Sequence, residues 1–184
     1  QRPALAEDAG PERVVDSQGL LTGGARKELE RLSRSVERAT GVKLFVVSPP
    51  QEVIRKKEKF AAYLRDVKSR VSMDASSIVM IVGPDATSDP DGVIGITRGK
   101  RVTERFQYRL TSAYDIGLER AFGASAYVEK NGYDQAVAAT FENLAACLYL
   151  LSEDASNREC NTFALSRDRV RDVLDARGYI PTRP

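Results

Sequence analysis

No histidine and no tryptophan occur anywhere in the 184 residues. The missing histidine excludes Ser-His-Asp and Cys-His catalysis and every His-ligated zinc, haem or non-haem iron site. General acid-base chemistry would fall to carboxylates, lysine or tyrosine. The two cysteines, Cys147 and Cys160, make no CxxC spacing, so a thioredoxin-like redox role has no support. No stretch approaches the roughly 20 consecutive apolar residues that span a bilayer, and the chain reads as soluble. No block of one charge sign stands out either. The net charge is +2, with acids and bases interspersed, whereas phosphate neutralisation needs a concentrated basic face, so a nucleic-acid partner is not expected. Internal repeats, low-complexity segments and a glycine-rich phosphate cradle are also missing. The chain opens at Gln1 instead of methionine, as a processed chain or a fragment would, and a removed targeting peptide would leave no trace.

What is present fits one globular domain with a sizeable core, at 42% apolar and 29% charged residues. Ser76 to Arg98 organises the chain. Ile78 to Val82 is an unbroken run rich in β-branched residues, the pattern of a strand buried on both faces. Val93, Ile94 and Ile96 follow as a second strand. Gly83-Pro84-Asp85-Ala86-Thr87-Ser88-Asp89-Pro90-Asp91-Gly92 between them continues neither strand, which predicts a hairpin or a sharp crossover.

Earlier in the chain, residues 1–12 mix Pro, Gly, Ala and charge without periodicity and read as a flexible lead-in. Thr22 is a candidate N-cap and Gly41 a C-cap, with Leu29, Leu32 and Val36 at helical spacing between them, so a helix is predicted near 23–40. Lys43 to Ser48 reads as a buried strand ended by Pro49-Pro50. Val53, Phe60, Leu64, Val67 and Val71 fall on one stripe of a helix near 53–71. Strand, helix and strand make a crossover, expected to be right-handed with parallel strands. A helix ending at Phe122 is predicted after the hairpin, with Val102, Phe106, Leu110, Ala113 and Gly117 as its buried face. Another runs near 134–151 through Val137, Phe141, Leu144, Leu148 and Leu151. Ser166 and Gly178 bracket a short last helix. The fold class is α/β, with a mostly parallel mixed sheet flanked by helices: a domain over 13–151, then a loop, short helix and tail over 152–184.

The order of these features resembles the TPM domain family. The matching segments are Val15-Asp16-Ser17-Gln18-Gly19-Leu20-Leu21, Thr40-Gly41-Val42-Lys43-Leu44-Phe45-Val46-Val47, the strand Ser77 to Val82, and Asn131-Gly132-Tyr133-Asp134-Gln135-Ala136-Val137. Ala121-Phe122-Gly123, Tyr127-Val128 and the two cysteines resemble the branch of cyanobacteria and chloroplast lumens. The resemblance implies an α/β sandwich and an accessory role in the assembly, repair or maintenance of photosystem II. It places the protein in the thylakoid lumen, with photosystem II subunits or other thylakoid membrane proteins as partners. A bacterial periplasmic protein with another partner is the alternative setting. Phosphatase activity is implied by some relatives. The glycine-rich strand end common in the family is reduced here to Arg98-Gly99-Lys100-Arg101.

Four aspartates and four basic residues are the candidate sites. Asp85, Asp89 and Asp91 on one loop suit the oxygen-rich coordination of Ca²⁺ or Mg²⁺; the alternative is a solvated turn that aspartates favour for backbone reasons. Asp16 ends the first extended segment at the sheet edge where ligands collect in α/β proteins, or else it hydrogen-bonds the following turn. A phosphatase would need Asp16, a second carboxylate and a cation together. Cys147 and Cys160 are either two buried thiols or a disulfide joining the long helix to the loop after it. The disulfide is the expectation, and it requires an oxidising compartment. Lys56, Lys57, Arg98 and Arg101 lie in the two basic concentrations, which are either solvated helix faces or a docking surface for an acidic membrane-protein loop or an anionic headgroup.

Overall fold

The computed structural model describes residues 11–179. Residues 1–10, most of the expected flexible lead-in, and residues 180–184 of the expected tail lie outside them. Strand β1 (Val14–Asp16) leads through Thr22 into α1 (Gly23–Thr40), where the Thr22 hydroxyl accepts from the Ala25 amide at 3.3 Å. Gly41 closes α1 at φ 75°, a left-handed conformation that glycine adopts without a Cβ clash. Strand β2 (Lys43–Ser48) follows, then α2 (Gln51–Ile54), α3 (Lys57–Val71), β3 (Ser77–Val82) and β4 (Ile94–Arg98).

The four strands form one sheet in the order β1-β2-β3-β4. The first three are parallel and β4 is antiparallel to β3, with Val82 opposite Ile94 and Ile78 opposite Arg98. The segment 83–93 is therefore a hairpin connection. Alternation along the strands feeds two cores. Leu44, Val46, Ile78 and Met80 face α1 residues Leu29, Leu32 and Val36, whereas Phe45, Val47, Val79 and Ile81 face Val67 and Val71 of α3. The two crossovers step the same way across the sheet yet lay their helices on opposite faces. They are of opposite hand, so one departs from the right-handed rule.

Past the sheet come α4 (Lys100–Phe106), α5 (Ser112–Phe122), α6 (Ser125–Glu153) and α7 (Arg167–Ala176), all on the α1 face. The long helix expected up to Phe122 is broken at 107–111, and Thr111 caps α5 through its hydroxyl. Tyr114 and Leu118, not Ala113 and Gly117, complete the buried face after Leu110. The helix expected over 53–71 is likewise divided, since Lys56 adopts an extended conformation between α2 and α3. Helix α6 starts nine residues before the expected Asp134, and Gly132 at φ 82°, ψ 164° separates its two helical pieces. Cys160, Leu165, Val170, Val173, Leu174 and Tyr179 enter the same core as α6. The C-terminal segment therefore completes the domain instead of trailing from it.

Candidate functional site

Asp16 ends β1, and its carboxylate turns back on the backbone that follows. Oδ1 accepts from the Leu20 amide at 3.0 Å and Oδ2 from the Leu21 amide at 2.8 Å. Both oxygens thus hold the turn that carries the chain into α1. The neighbouring Gln18 side chain donates to the Pro49 carbonyl at 2.6 Å and packs over Gly83, where a Cβ would sit 2.7 Å from its amide nitrogen. Gly83 has φ +136°, so this close approach and the backbone angle both call for glycine.

The hairpin aspartates do not converge. Asp85 pairs with Arg55 at 2.9 Å, both side chains at least half exposed, a geometry that contributes little to stability. Asp89 accepts the Asp91 amide at 2.9 Å, and the Thr87 hydroxyl donates to the Asp89 carbonyl at 3.0 Å. The Asp91 carbonyl accepts the Ser125 amide at 2.7 Å and ties the hairpin to the start of α6. Among the described residues no three Cys, Asp or Glu side chains are grouped so as to hold a metal ion. Beside the hairpin, Pro84, Asp85, Val93, Val128 and Tyr133 line a shallow hollow of about 430 Å³.

The basic residues fall at opposite ends of the sheet. Lys56 and Lys57 are exposed at the carboxyl edge of the parallel strands, just after β2. Arg101 is exposed at the amino edge, its amide bonded to the Ala75 carbonyl ahead of β3. A six-residue strand separates the edges by roughly 20 Å. The four residues expected to form one docking surface are therefore not brought together: Lys56 and Lys57 lie at one edge and Arg101 at the other. Arg98 joins neither exposed group, because its side chain is only 8% exposed. It pairs with Asp115 at 2.8 Å and donates to the Ser112 hydroxyl at 3.0 Å and to the Leu110 carbonyl.

Asp115 is the most perturbed carboxyl in this region. Burial raises it from 3.8 to about 6; Arg98 opposes that rise and Glu119 adds to it. Asp115 Oδ1 is buried and has no hydrogen-bond partner among the described residues. Glu119 is also raised by burial, although its carboxylate accepts the Ile96 amide at 2.8 Å.

A groove of about 590 Å³ lies between α6 and α7, with Phe122 and Tyr127 also in its lining. These two rings meet edge to face at 5.6 Å. Ala139, Leu165, Val170 and Leu174 supply an apolar floor, while Arg167 and Arg171 stand on the α7 rim. Asn143 lies on the wall, donating to the Leu165 carbonyl and accepting its amide, so α6 and the chain ahead of α7 keep a fixed spacing. Such a groove can bury the apolar side of an incoming chain or small amphipathic molecule.

No family model matches the chain, and no curated protein matches it. A solved structure similar to it is the N-terminal domain of the cg2496 protein from Corynebacterium glutamicum. That solution structure is 11% identical over 85% of this chain and 87% of the other, with a TM-score of 0.44.

Cys147 and Cys160 are joined, with their Cα atoms 6.0 Å apart. The disulfide fits an oxidising, extracytoplasmic compartment. Among the described residues no helix is long and apolar enough to cross a membrane. The groove and the Arg98–Asp115 pair were not found from sequence. A usable signal for the groove was Glu142-Asn143, a polar pair inside the apolar run of α6 and yet 8% and 2% exposed. The ion pair had no such signal, since it depends on how α5 packs against β4.

Proposed function

We propose that this protein is a non-catalytic accessory protein that docks onto a membrane-protein complex in an oxidising compartment. Following the TPM resemblance, we take the complex to be photosystem II, served during assembly, repair or maintenance from the thylakoid lumen. The observation that carries docking over phosphatase chemistry is the engagement of the candidate aspartates. Asp16 holds its own turn and Asp89 holds the hairpin. A carboxylate already accepting backbone amides is poorly placed to attack phosphorus or to gather a cation. Docking needs only a rigid core and exposed groups. The α6–α7 groove and the exposed Lys56, Lys57 and Arg101 supply these.

The test is affinity recovery of the tagged protein from native thylakoid membranes, beside turnover of a generic phosphomonoester. Photosystem II subunits are expected to co-purify, equally well with an Asp16→Ala, Asp89→Ala double variant, and without turnover by either protein. Turnover that disappears in a folded double variant would overturn docking in favour of a metal-assisted phosphatase. Recovery of bacterial-envelope proteins alone would overturn the photosystem assignment.

A further inference from the structure

Three large apolar side chains stand in solvent, and the fold offers no reason for their exposure. Tyr108 is 82% exposed in the α4–α5 connection, Ile116 is 45% exposed on α5, and Phe163 is 77% exposed in the loop before α7. Apolar residues scattered singly over a surface need no explanation. These are not scattered. The Thr111 hydroxyl donates to the Asn161 carbonyl, which ties the start of α5 to the Phe163 loop. Gly117, next to Ile116, lets that loop lie directly on α5, since a Cβ there would meet the Thr162 carbonyl at 3.2 Å and the Phe163 Cα at 3.9 Å. Tyr108 comes three residues before Thr111. The buried Cys160, bonded to Cys147 on α6, anchors the loop from below. Phe163 is thus held outward on a pinned loop.

On the same elements Asp115 is buried against Arg98, Glu119 accepts the Ile96 amide, and the more exposed Glu104 and Glu159 each lie beside a cation, Lys100 and Arg169. Asp154 accepts from Ser156 and lies beside Arg109. Arg120, one turn beyond Ile116, and Arg158, inside the disulfide-closed loop, are exposed, and the half-buried Arg109 follows Tyr108 in the chain. The three apolar side chains line neither the groove nor the hairpin hollow. Exposed aromatic side chains with arginines on the same elements match the interfacial layer of a bilayer carrying anionic headgroups, where rings enter the headgroup boundary and guanidinium groups meet phosphate.

We infer that the α5 face bearing Tyr108, Ile116 and Phe163 is a peripheral docking surface for an anionic lipid membrane. This surface stands independently of the partner proposed above. Its test is co-sedimentation of the full chain with phosphatidylcholine vesicles, with and without phosphatidylglycerol. Binding is expected only with phosphatidylglycerol and should weaken as salt rises. A Tyr108→Ser, Phe163→Ser variant should bind at least about tenfold more weakly, the effect of withholding one buried ring. It should keep the wild-type melting temperature, because both sites are exposed. Arg120→Glu with Arg158→Glu should abolish the preference for phosphatidylglycerol and carries the test by itself if the ring variant is less stable. Wild-type protein that fails to sediment, or variants that sediment like wild type, would overturn the inference. If wild type ignores vesicles but the ring variant loses a co-purifying protein, the face is a protein interface and the lipid assignment fails.

Discussion

Asp115 meets Arg98 where α5 packs on β4, with both side chains 8% exposed. Such a pair loses hydration on both partners, and the Coulomb attraction in a low-dielectric interior offsets that loss only in part. The raised pKa of Asp115 expresses the remainder. A carboxyl lifted from 3.8 to about 6 holds its proton more tightly in the folded chain than in the unfolded one. Its contribution is therefore fully present below the lower value, declines as pH rises between the two and is gone above the upper one. The change is on the order of 3 kcal/mol. An Asp115→Asn variant keeps the neutral shape at every pH and removes this dependence. Denaturant unfolding of both proteins across this range should show wild-type stability falling relative to the variant up to about pH 6 and level beyond it. A constant difference would show that Asp115 ionises as it would in water. Asp16 makes the opposite case at the same scale: its two oxygens each accept a backbone amide, and its role is the turn.

Helix α6 joins the hairpin, α1 and α7. Gly132 interrupts it, and the first turn of the piece that follows carries Asp134, whose carboxylate accepts both the amide and the hydroxyl of Thr22 at 3.0 and 2.7 Å. The N-cap of α1 is thereby fastened to α6. At the other end of α6 the disulfide closes a loop across a separation of 13 residues. A loop of that length restricts the unfolded chain by about 3 kcal/mol. Replacing both cysteines by alanine should lower the melting temperature by roughly 6 to 12 °C; a shift smaller than about 2 °C would mean the bridge restrains little. Elements with their own punctuation were legible in the sequence, as α1 was from Thr22 and Gly41. The break between α4 and α5 was not, because Val102, Phe106, Leu110, Tyr114 and Leu118 keep a four-residue spacing straight across it. The division of α2 from α3 was hidden in the same way, with Val53 and Phe60 near a common stripe although Lys56 between them is extended.

At the scale of the whole molecule, the sheet separates groups that adjoin as themes in the sequence. Alternation and β-branched runs were enough to read an α/β sheet with its hairpin, because burial on both faces leaves a continuous apolar signature. The candidate site was less legible, since basic clusters carry no mark of which sheet edge they will occupy. β4 runs antiparallel to β3, which returns the chain to the amino edge before Arg101, whereas Lys56 and Lys57 follow the carboxyl end of β2. The edges lie roughly 20 Å apart with the sheet between them. A partner surface of ordinary size buries about 800 Å² on each side, enough to cover one edge and its neighbouring helices but not both ends of the sheet. Partner association should therefore depend on one edge alone. Lys56→Glu with Lys57→Glu, and separately Arg101→Glu, are the matched variants, all at exposed positions. One of the two should weaken recovery of the partner complex and flatten its dependence on salt, because a steering charge has been reversed. The other should leave both unchanged. Equal losses from the two variants, adding in the triple substitution, would require a partner that wraps the domain from edge to edge and would overturn the one-sided docking drawn from this topology.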